Sequence, residues 1–280
     1  MQYRILGKTG LKVSAVGFGG IPIQRIDARG TRALMERLVE KGVNYIDTAR
    51  GYTVSESYLG EALSGGLREK FILATKSMSR GYADMARDIG ISLSNLRTDY
   101  IDLYQLHNIK SDADFELAFS AEGAVAAIQD AIRAGKVGHL GATAHSVDSF
   151  ERLLSYPEIE TIMFPYNIVE SQGEALMERA AAQNVGVIAM KPLAGGNITD
   201  GTLAMRYILQ NKTCTLAIPG MATLEEIEQN TAAAEQDGPL TPEELAACEA
   251  IRAGLSGNFC RRCGYCAPCT VGIDIPGIFT

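Results

Sequence analysis

The chain has 280 residues, 46% of them hydrophobic, with a formal net charge of −7 and a pI of about 5.1. That size can bury a large core as one big domain or two smaller ones. The acidic balance excludes a broad positive field for nucleic acid or an anionic membrane. The N-terminus, MQYRILGKTG, lacks the apolar core of a secretory signal, and no run of roughly 18 apolar residues is present, so a cytoplasmic chain that spans no membrane is expected.

In chain order, YRILGKTGLKV reads first, as a β-hairpin turning at Gly7 to Gly10 and placed to plug a barrel floor. Short apolar runs follow: SAVGFGG (14–20), YIDTA (45–49), FILATKS (71–77), IDLYQLHN (101–108), HLGATAHS (139–146), TIMFPYN (161–167), GVIAMKP (186–192) and TLAIPG (215–220). Stretches of helical spacing lie between them, among them TRALMERLVEKG, DMARDIGISLSNL, GAVAAIQDAIRAGKV, GEALMERAAAQN and TLEEIEQNTAAA. Strands too apolar for one-sided burial, alternating with amphipathic helices, predict a parallel sheet covered by helices. Lys41-Gly42, Ala134-Gly135 and Gln183-Asn184 supply left-handed helix ends just before strands. Eight units in roughly 210 residues fit a single (β/α)8 barrel of about 250 residues. A doubly wound sheet would want GxGxxG after its first strand, and GFGGIPIQ is not one. The expected organisation is a barrel over residues 1–255 and a cysteine-rich tail over 256–280.

In such a barrel the chemistry sits at the carboxyl ends of the strands. The second strand ends at Asp47, with Tyr52 close behind; the third ends at Lys76 and the fourth at His107. A lysine inside the apolar run FILATKS needs a carboxylate partner, and Asp47 on the neighbouring strand can supply it. A tyrosine, with a reference pKa of about 10, becomes a useful acid when a nearby cation stabilises its phenolate. Lys76 would do that, His107 would hydrogen-bond a substrate carbonyl, and Tyr52 would hand its proton to the incipient alkoxide. No side chain donates hydride, so a cofactor must, and the reaction class is reversible carbonyl reduction.

YIDTARGYTVSESYLGEAL, LATK and DLYQLHN resemble, in order and spacing, the signature segments of the aldo-keto reductases. The similarity runs from RILGKTGLKVSAVGFGG to IPGMATLEEIEQN and so covers most of the chain. The resemblance implies a nicotinamide cofactor lying across the rim and the tetrad Asp47, Tyr52, Lys76 and His107, with Asp47 also facing the cofactor. Further cofactor contacts that it implies are Gly20, Thr143, Asn167, Met190, Lys191, Leu193, Gly195, Gly220, Glu226, Gln229 and Asn230. Met163 stands where many members have Gln. The segment Met221 to Asn230 carries three glutamates and no basic residue, which leaves both NAD and NADP open.

The tail, FCRRCGYCAPCT, places Cys260, Cys263, Cys266 and Cys269 at every third position. Ferredoxin-type segments hold iron–sulfur clusters with such spacing, although they place three residues before the fourth cysteine. A subgroup of aldo-keto reductases looks similar and is thought to bind a [4Fe-4S] centre, which is the preferred reading; zinc is the alternative. A cluster would bring an electron-transfer partner with it. Cys214 and Cys248 read as core.

The substrate expected is a small aldehyde or ketone, because NIKSDADFELAFSAEG makes only a short loop after the fourth strand. Phe18, Met78 and Tyr82 are possible wall residues and His145 a further rim residue, each weighed against ordinary packing. The alternative function is a redox-sensing or interaction protein that binds nucleotide and cluster with little turnover.

Overall fold

The computed structural model describes residues 1–236, 238–255, 260 and 269–278. The chain opens with the hairpin, β1 (Tyr3–Ile5) and β2 (Lys12–Ser14), antiparallel with Tyr3 opposite Ser14. Its turn presses on the backbone of 184–186: Lys8 N donates to Asn184 O (2.7 Å), and a Cβ on Gly7 would lie 2.2 Å from Gly186 N. Leu6 is thereby driven into the interior beside Val13, Tyr45, Leu103, Ile188 and Leu216, closing the floor.

Eight parallel strands follow: β3 (Phe18–Gly19), β4 (Tyr45–Asp47), β5 (Ile72–Ser77), β6 (Ile101–Leu106), β7 (Val137–Thr143), β8 (Thr161–Pro165), β9 (Gly186–Met190) and β10 (Leu216–Ala217). They lie side by side in chain order, and parallel bridges Val16–Ala217 and Gly19–Gly220 join the last edge to the first. The crossovers are α1 (Ala28–Glu40), α2 (Ser55–Ala62), α3 (Tyr82–Asn95), α4 (Asp112–Ala118) with α5 (Ala124–Arg133), α6 (Val147–Leu153), α7 (Glu174–Ala182) and α8 (Gly201–Gln210), and α9 (Leu224–Ala232) follows the last strand. α10 (Pro242–Gly254) and the short α11 (Ile275–Ile278) come after the barrel. The larger core lies between sheet and helices, and a smaller one fills the barrel. The three expected helix ends are left-handed, at Gly42 (φ 74°), Gly135 (φ 70°) and Asn184 (φ 54°).

Two expectations are corrected. The first barrel strand is shorter than 14–20, because Lys12–Ser14 belongs to the hairpin. There Ser14 N donates to Asn44 Oδ1 (2.7 Å) and Asn44 N to Ser14 Oγ (3.0 Å), so side chains replace part of the ladder. The segment after the fourth strand is not a plain loop. Ser111 and Asp114 form a capping box that starts α4, and buried Phe115 stacks near Phe119 and Tyr156.

Gly60 on α2 meets the end of α3 so closely that a Cβ would lie 2.1 Å from Asn95 O, whereas a Cβ on Gly90, inside α3, would meet nothing within 4 Å. Gly60→Ala is expected to cost about 1–3 kcal/mol through overpacking. Gly90→Ala is expected to be neutral or stabilising by up to ~1 kcal/mol through helix propensity. Thermal melts followed by circular dichroism check the pair; equal Tm values for both variants would contradict this packing.

Candidate active site

β4, β5 and β6 are adjacent, so the ends of three consecutive strands converge at one point of the rim. Asp47, Lys76 and His107 are each 2% exposed. Lys76 Nζ donates to Asp47 Oδ1 and to Thr48 O (2.8 Å), and Gln105 Nε2 donates to Asp47 Oδ2 (3.0 Å). Gln105 was not anticipated. It stands two residues before His107 and opposite Lys76 in register, so strand alternation alone could have placed it on the same face.

Tyr52 comes in from the turn after β4, where Tyr52 N donates to Ala49 O (3.0 Å) and Ser55 N to Tyr52 O (2.7 Å). Its ring centroid lies 5.0 Å from Lys76 Nζ and 5.9 Å from the His107 ring, edge-on at 88°. The four expected residues thus share one site. Burial, reinforced by the positive fields of Lys76, His145 and Arg80, holds His107 well below the ordinary histidine value, so the imidazole is neutral at pH 7. Burial pushes the Asp47 carboxyl above the usual carboxylate range, opposed by the charge of Lys76 and by hydrogen bonds from Lys76 and Gln105.

Gly20, Thr143, Asn167, Met190, Lys191 and Gly220 stand at or just after the carboxyl ends of β3, β7, β8, β9 and β10, whereas Glu226, Gln229 and Asn230 lie on α9. Gly20 N donates to Asp47 O (2.8 Å), and Gly220 pairs with Gly19 across the barrel closure. Thr143 Oγ1 accepts from Asn108 N (2.7 Å), bracing the residue after His107. Asn167 is fully buried, and its amide is taken up by the chain: Oδ1 accepts from Val169 N and Glu170 N (2.9 Å each), while Nδ2 donates to Glu170 Oε2 and Lys191 O (3.0 Å each). It braces the neighbouring loop. That loop is left-handed at Lys191, Ala194, Gly195 and Gly196, beginning with Lys191, whose Nζ lies 3.3 Å from His145 Nδ1. Leu193 packs with Ala194 and Ile198 against Ile251 and Leu255, the end of α10 and the residue after it. Met163, Met190 and Ile218 belong to the apolar cluster inside the barrel.

In α9, Glu226 is committed to a capping box with Thr223, and Gln229 Nε2 donates to Glu225 Oε1 (3.3 Å). Asn230 Oδ1 is buried without a hydrogen-bond partner among the described residues. It faces Gly201 of α8, where a Cβ would lie 2.8 Å away, and it is an acceptor of the kind the exocyclic amino group of a nucleotide base requires. Of the suggested wall residues, Phe18 is fully buried in the core and belongs to packing, while Met78 is half exposed beyond β5 and Tyr82 Oη donates to Asp130 Oδ2 (2.7 Å).

Cys214 and Cys248 are buried, as expected, and burial pushes the Cys214 thiol up to about 12. Cys263 and Cys266 lie outside the described residues, and among the described ones no group of three or more His, Cys, Asp or Glu could hold a metal ion. Asn197 Nδ2 donates to Cys260 O (3.1 Å), tying the tail to the loop after β9. The backbone amides of Val271, Ile273 and Gly272 hold the Cys269 thiol below the usual cysteine range, a setting that favours thiolate. No described helix is long and apolar enough to cross a membrane.

A parallel barrel with Asp47, Tyr52, Lys76 and His107 together on its carboxyl rim fits the class of (β/α)8 oxidoreductases. Residues 15–202 match the aldo/keto reductase family model, and the chain belongs to that family. It is 28% identical to L-galactose dehydrogenase of Arabidopsis thaliana, over 90% of this chain and 94% of that protein. It is 26% identical to the aldo-keto reductase YhdN of Bacillus subtilis, over 75% of this chain and 67% of that one. The holo form of aldo-keto reductase AKR11C1 from Bacillus halodurans superposes with a TM-score of 0.78, at 26% identity over 90% of this chain and 96% of that chain. The protein is accordingly an NAD(P)H-dependent reductase.

The depressed His107 titration has a signed consequence. The unfolded chain takes up this proton near pH 6.5, and the folded one only well below it, so stability falls as pH drops beneath about 6.5, by up to ~1.4 kcal/mol per pH unit. His107→Gln is therefore expected to lose less Tm between pH 7 and pH 5 than the parent. An equal loss in both would contradict a buried neutral imidazole.

Proposed function

We propose that the chain reduces small aldehydes or ketones to alcohols, with Tyr52 as the general acid. The observation that carries this reading is the buried Lys76–Asp47 pair, which sets an ammonium 5.0 Å from the Tyr52 ring centroid. When bound, NAD(P)H supplies the hydride. The neutral His107 donates a hydrogen bond to the substrate carbonyl and fixes where negative charge develops. Tyr52 passes its proton to that oxygen, and Lys76 stabilises the negative charge left on the tyrosine. Asp47 keeps Lys76 in place.

Tyr52→Phe is expected to lower kcat by about 10²-fold or more, with cofactor binding retained, since the ring stays and only the proton is lost. Steady-state assays with a panel of short aldehydes, beside a fluorescence titration with NADH and NADPH, check both halves. Activity equal to the parent would remove Tyr52 from the chemistry.

For the tail we propose four-thiolate ligation of a [4Fe-4S] centre by Cys260, Cys263, Cys266 and Cys269, with zinc as the alternative. The regular spacing and the thiolate-favouring amides around Cys269 support it. A cluster there would supply one-electron chemistry to a separate redox partner. Protein purified without oxygen is expected to carry about four iron and four sulfide per chain. One zinc without colour would make the tail a structural clasp instead. Cys263→Ser is expected to remove the metal and leave carbonyl reduction measurable.

A further inference from the structure

Glu56, the second residue of α2, is a carboxylate buried to 2% exposure behind the site. Its Oε1 accepts from Thr75 Oγ1 (2.8 Å) and Ser92 Oγ (2.7 Å); its Oε2 accepts from Arg50 Nη1 (2.9 Å) and Asn95 Nδ2 (3.2 Å). Those donors come from the turn after β4, from β5 and from α3. Arg50 and Glu56 bracket Tyr52 in the chain, and Arg50 N donates to Lys76 O (2.9 Å). The guanidinium of Arg50 also faces Asp88, 3.7 Å away, which accepts from Ser77 Oγ (2.5 Å) and Ser79 Oγ (2.7 Å).

Strand alternation explains the pattern. Lys76 points into the barrel, so Thr75 and Ser77 on either side of it point outward, towards the helices. Thr75 is bonded to Glu56 and Ser77 to Asp88, and both carboxylates face the one guanidinium of Arg50. Next to Glu56, Ser55 Oγ lies 2.8 Å from Thr48 Oγ1 and donates to Gly20 O (2.9 Å), while Thr48 O accepts from Lys76 Nζ. A buried ion pair of this kind is a poor source of stability, because desolvation offsets its attraction. What it can supply is one defined arrangement, since every donor must be met at once.

We propose that Glu56, acting through Arg50 and Thr75, is a positioning residue that sets the Tyr52 turn against the Lys76 strand end. Its described partners, Arg50, Thr75, Ser92 and Asn95, are all side chains of the chain itself. The inference rests on Tyr52 as the acid, and its test is separable from the test of that assignment.

The experiment compares Glu56→Ala, Glu56→Gln and Thr75→Val with Asp102→Asn. Asp102 accepts from Arg68 Nη2 (2.8 Å) and Leu73 N (2.9 Å) at the opposite end of the same strand pair, so its loss should lower Tm and leave kcat unchanged. Glu56→Ala is expected to lower kcat by about 10²-fold, with an enlarged deuterium isotope effect from labelled cofactor and an unchanged cofactor Kd. Glu56→Gln is expected to recover about tenfold of that loss, because a carboxamide oxygen still accepts from Arg50 and Asn95 while the two hydroxyls turn to accept from its NH2. Thr75→Val, close to isosteric, is expected to cost about fivefold in kcat, and it decides the matter if Glu56→Ala does not fold. Parental kcat in Glu56→Ala or Thr75→Val, or a kcat loss in Asp102→Asn matching theirs, would overturn the proposal. Those outcomes beside an inactive Tyr52→Phe would leave the acid assignment standing; an active Tyr52→Phe would remove that assignment itself.

Discussion

The rest of the site depends on a lysine ammonium held out of water. Lys76 is 2% exposed, and a charge so placed is tolerable only when fully partnered. Asp47 supplies the opposite charge, Thr48 a carbonyl, and Gln105 a bond that holds Asp47 in turn. Removing one partner of such a pair commonly costs about 3–5 kcal/mol, so the register of β4, β5 and β6 is tied to it. The same cation approaches the Tyr52 ring and adds to the burial that depresses the titration of His107. One costly burial therefore organises three functional groups.

Around that centre, polar side chains spend their hydrogen bonds on bracing loops. Thr143 secures the residue after His107, and Asn167 spends its whole amide on the turn at 169–170 and on Lys191. Arg252 of α10 donates to Ile168 O (2.8 Å), and Leu255 packs with Leu193 and Ala194. α10 and Leu255 are thus packed against two rim loops, and Asn197 adds a direct link to Cys260. Among the described residues, α10 and Cys260 are the parts of the C-terminal region tied to the rim loops in this way.

The apolar runs and their spacing were enough to place the strands and to nominate Asp47, Tyr52, Lys76 and His107, because barrel chemistry sits at strand ends and a lysine in an apolar run demands a partner. Gln105 and Glu56 were harder to see. Each is a polar residue whose role depends on what a neighbouring strand or helix presents, and that is a matter of register. The acidic, polar sequence of α4 hides the apolar contact of Phe115 and so looks like a loop, although it carries the Ser111–Asp114 cap. Asn167 was anticipated near the cofactor; its four internal bonds became visible only when the loops came together.

Local sequence by itself determined the alternation of strands and helices, the left-handed helix ends at Gly42, Gly135 and Asn184, and the types of residue at the rim. These follow from periodicity and backbone sterics, which act within a few residues. Closure between Val16–Gly19 and Ala217–Gly220, the neutral state of His107, and the meeting of Arg50, Glu56 and Thr75 behind Lys76 were decided by tertiary structure. Burial and electrostatic fields depend on residues distant in the chain, and only the closed barrel sets those distances.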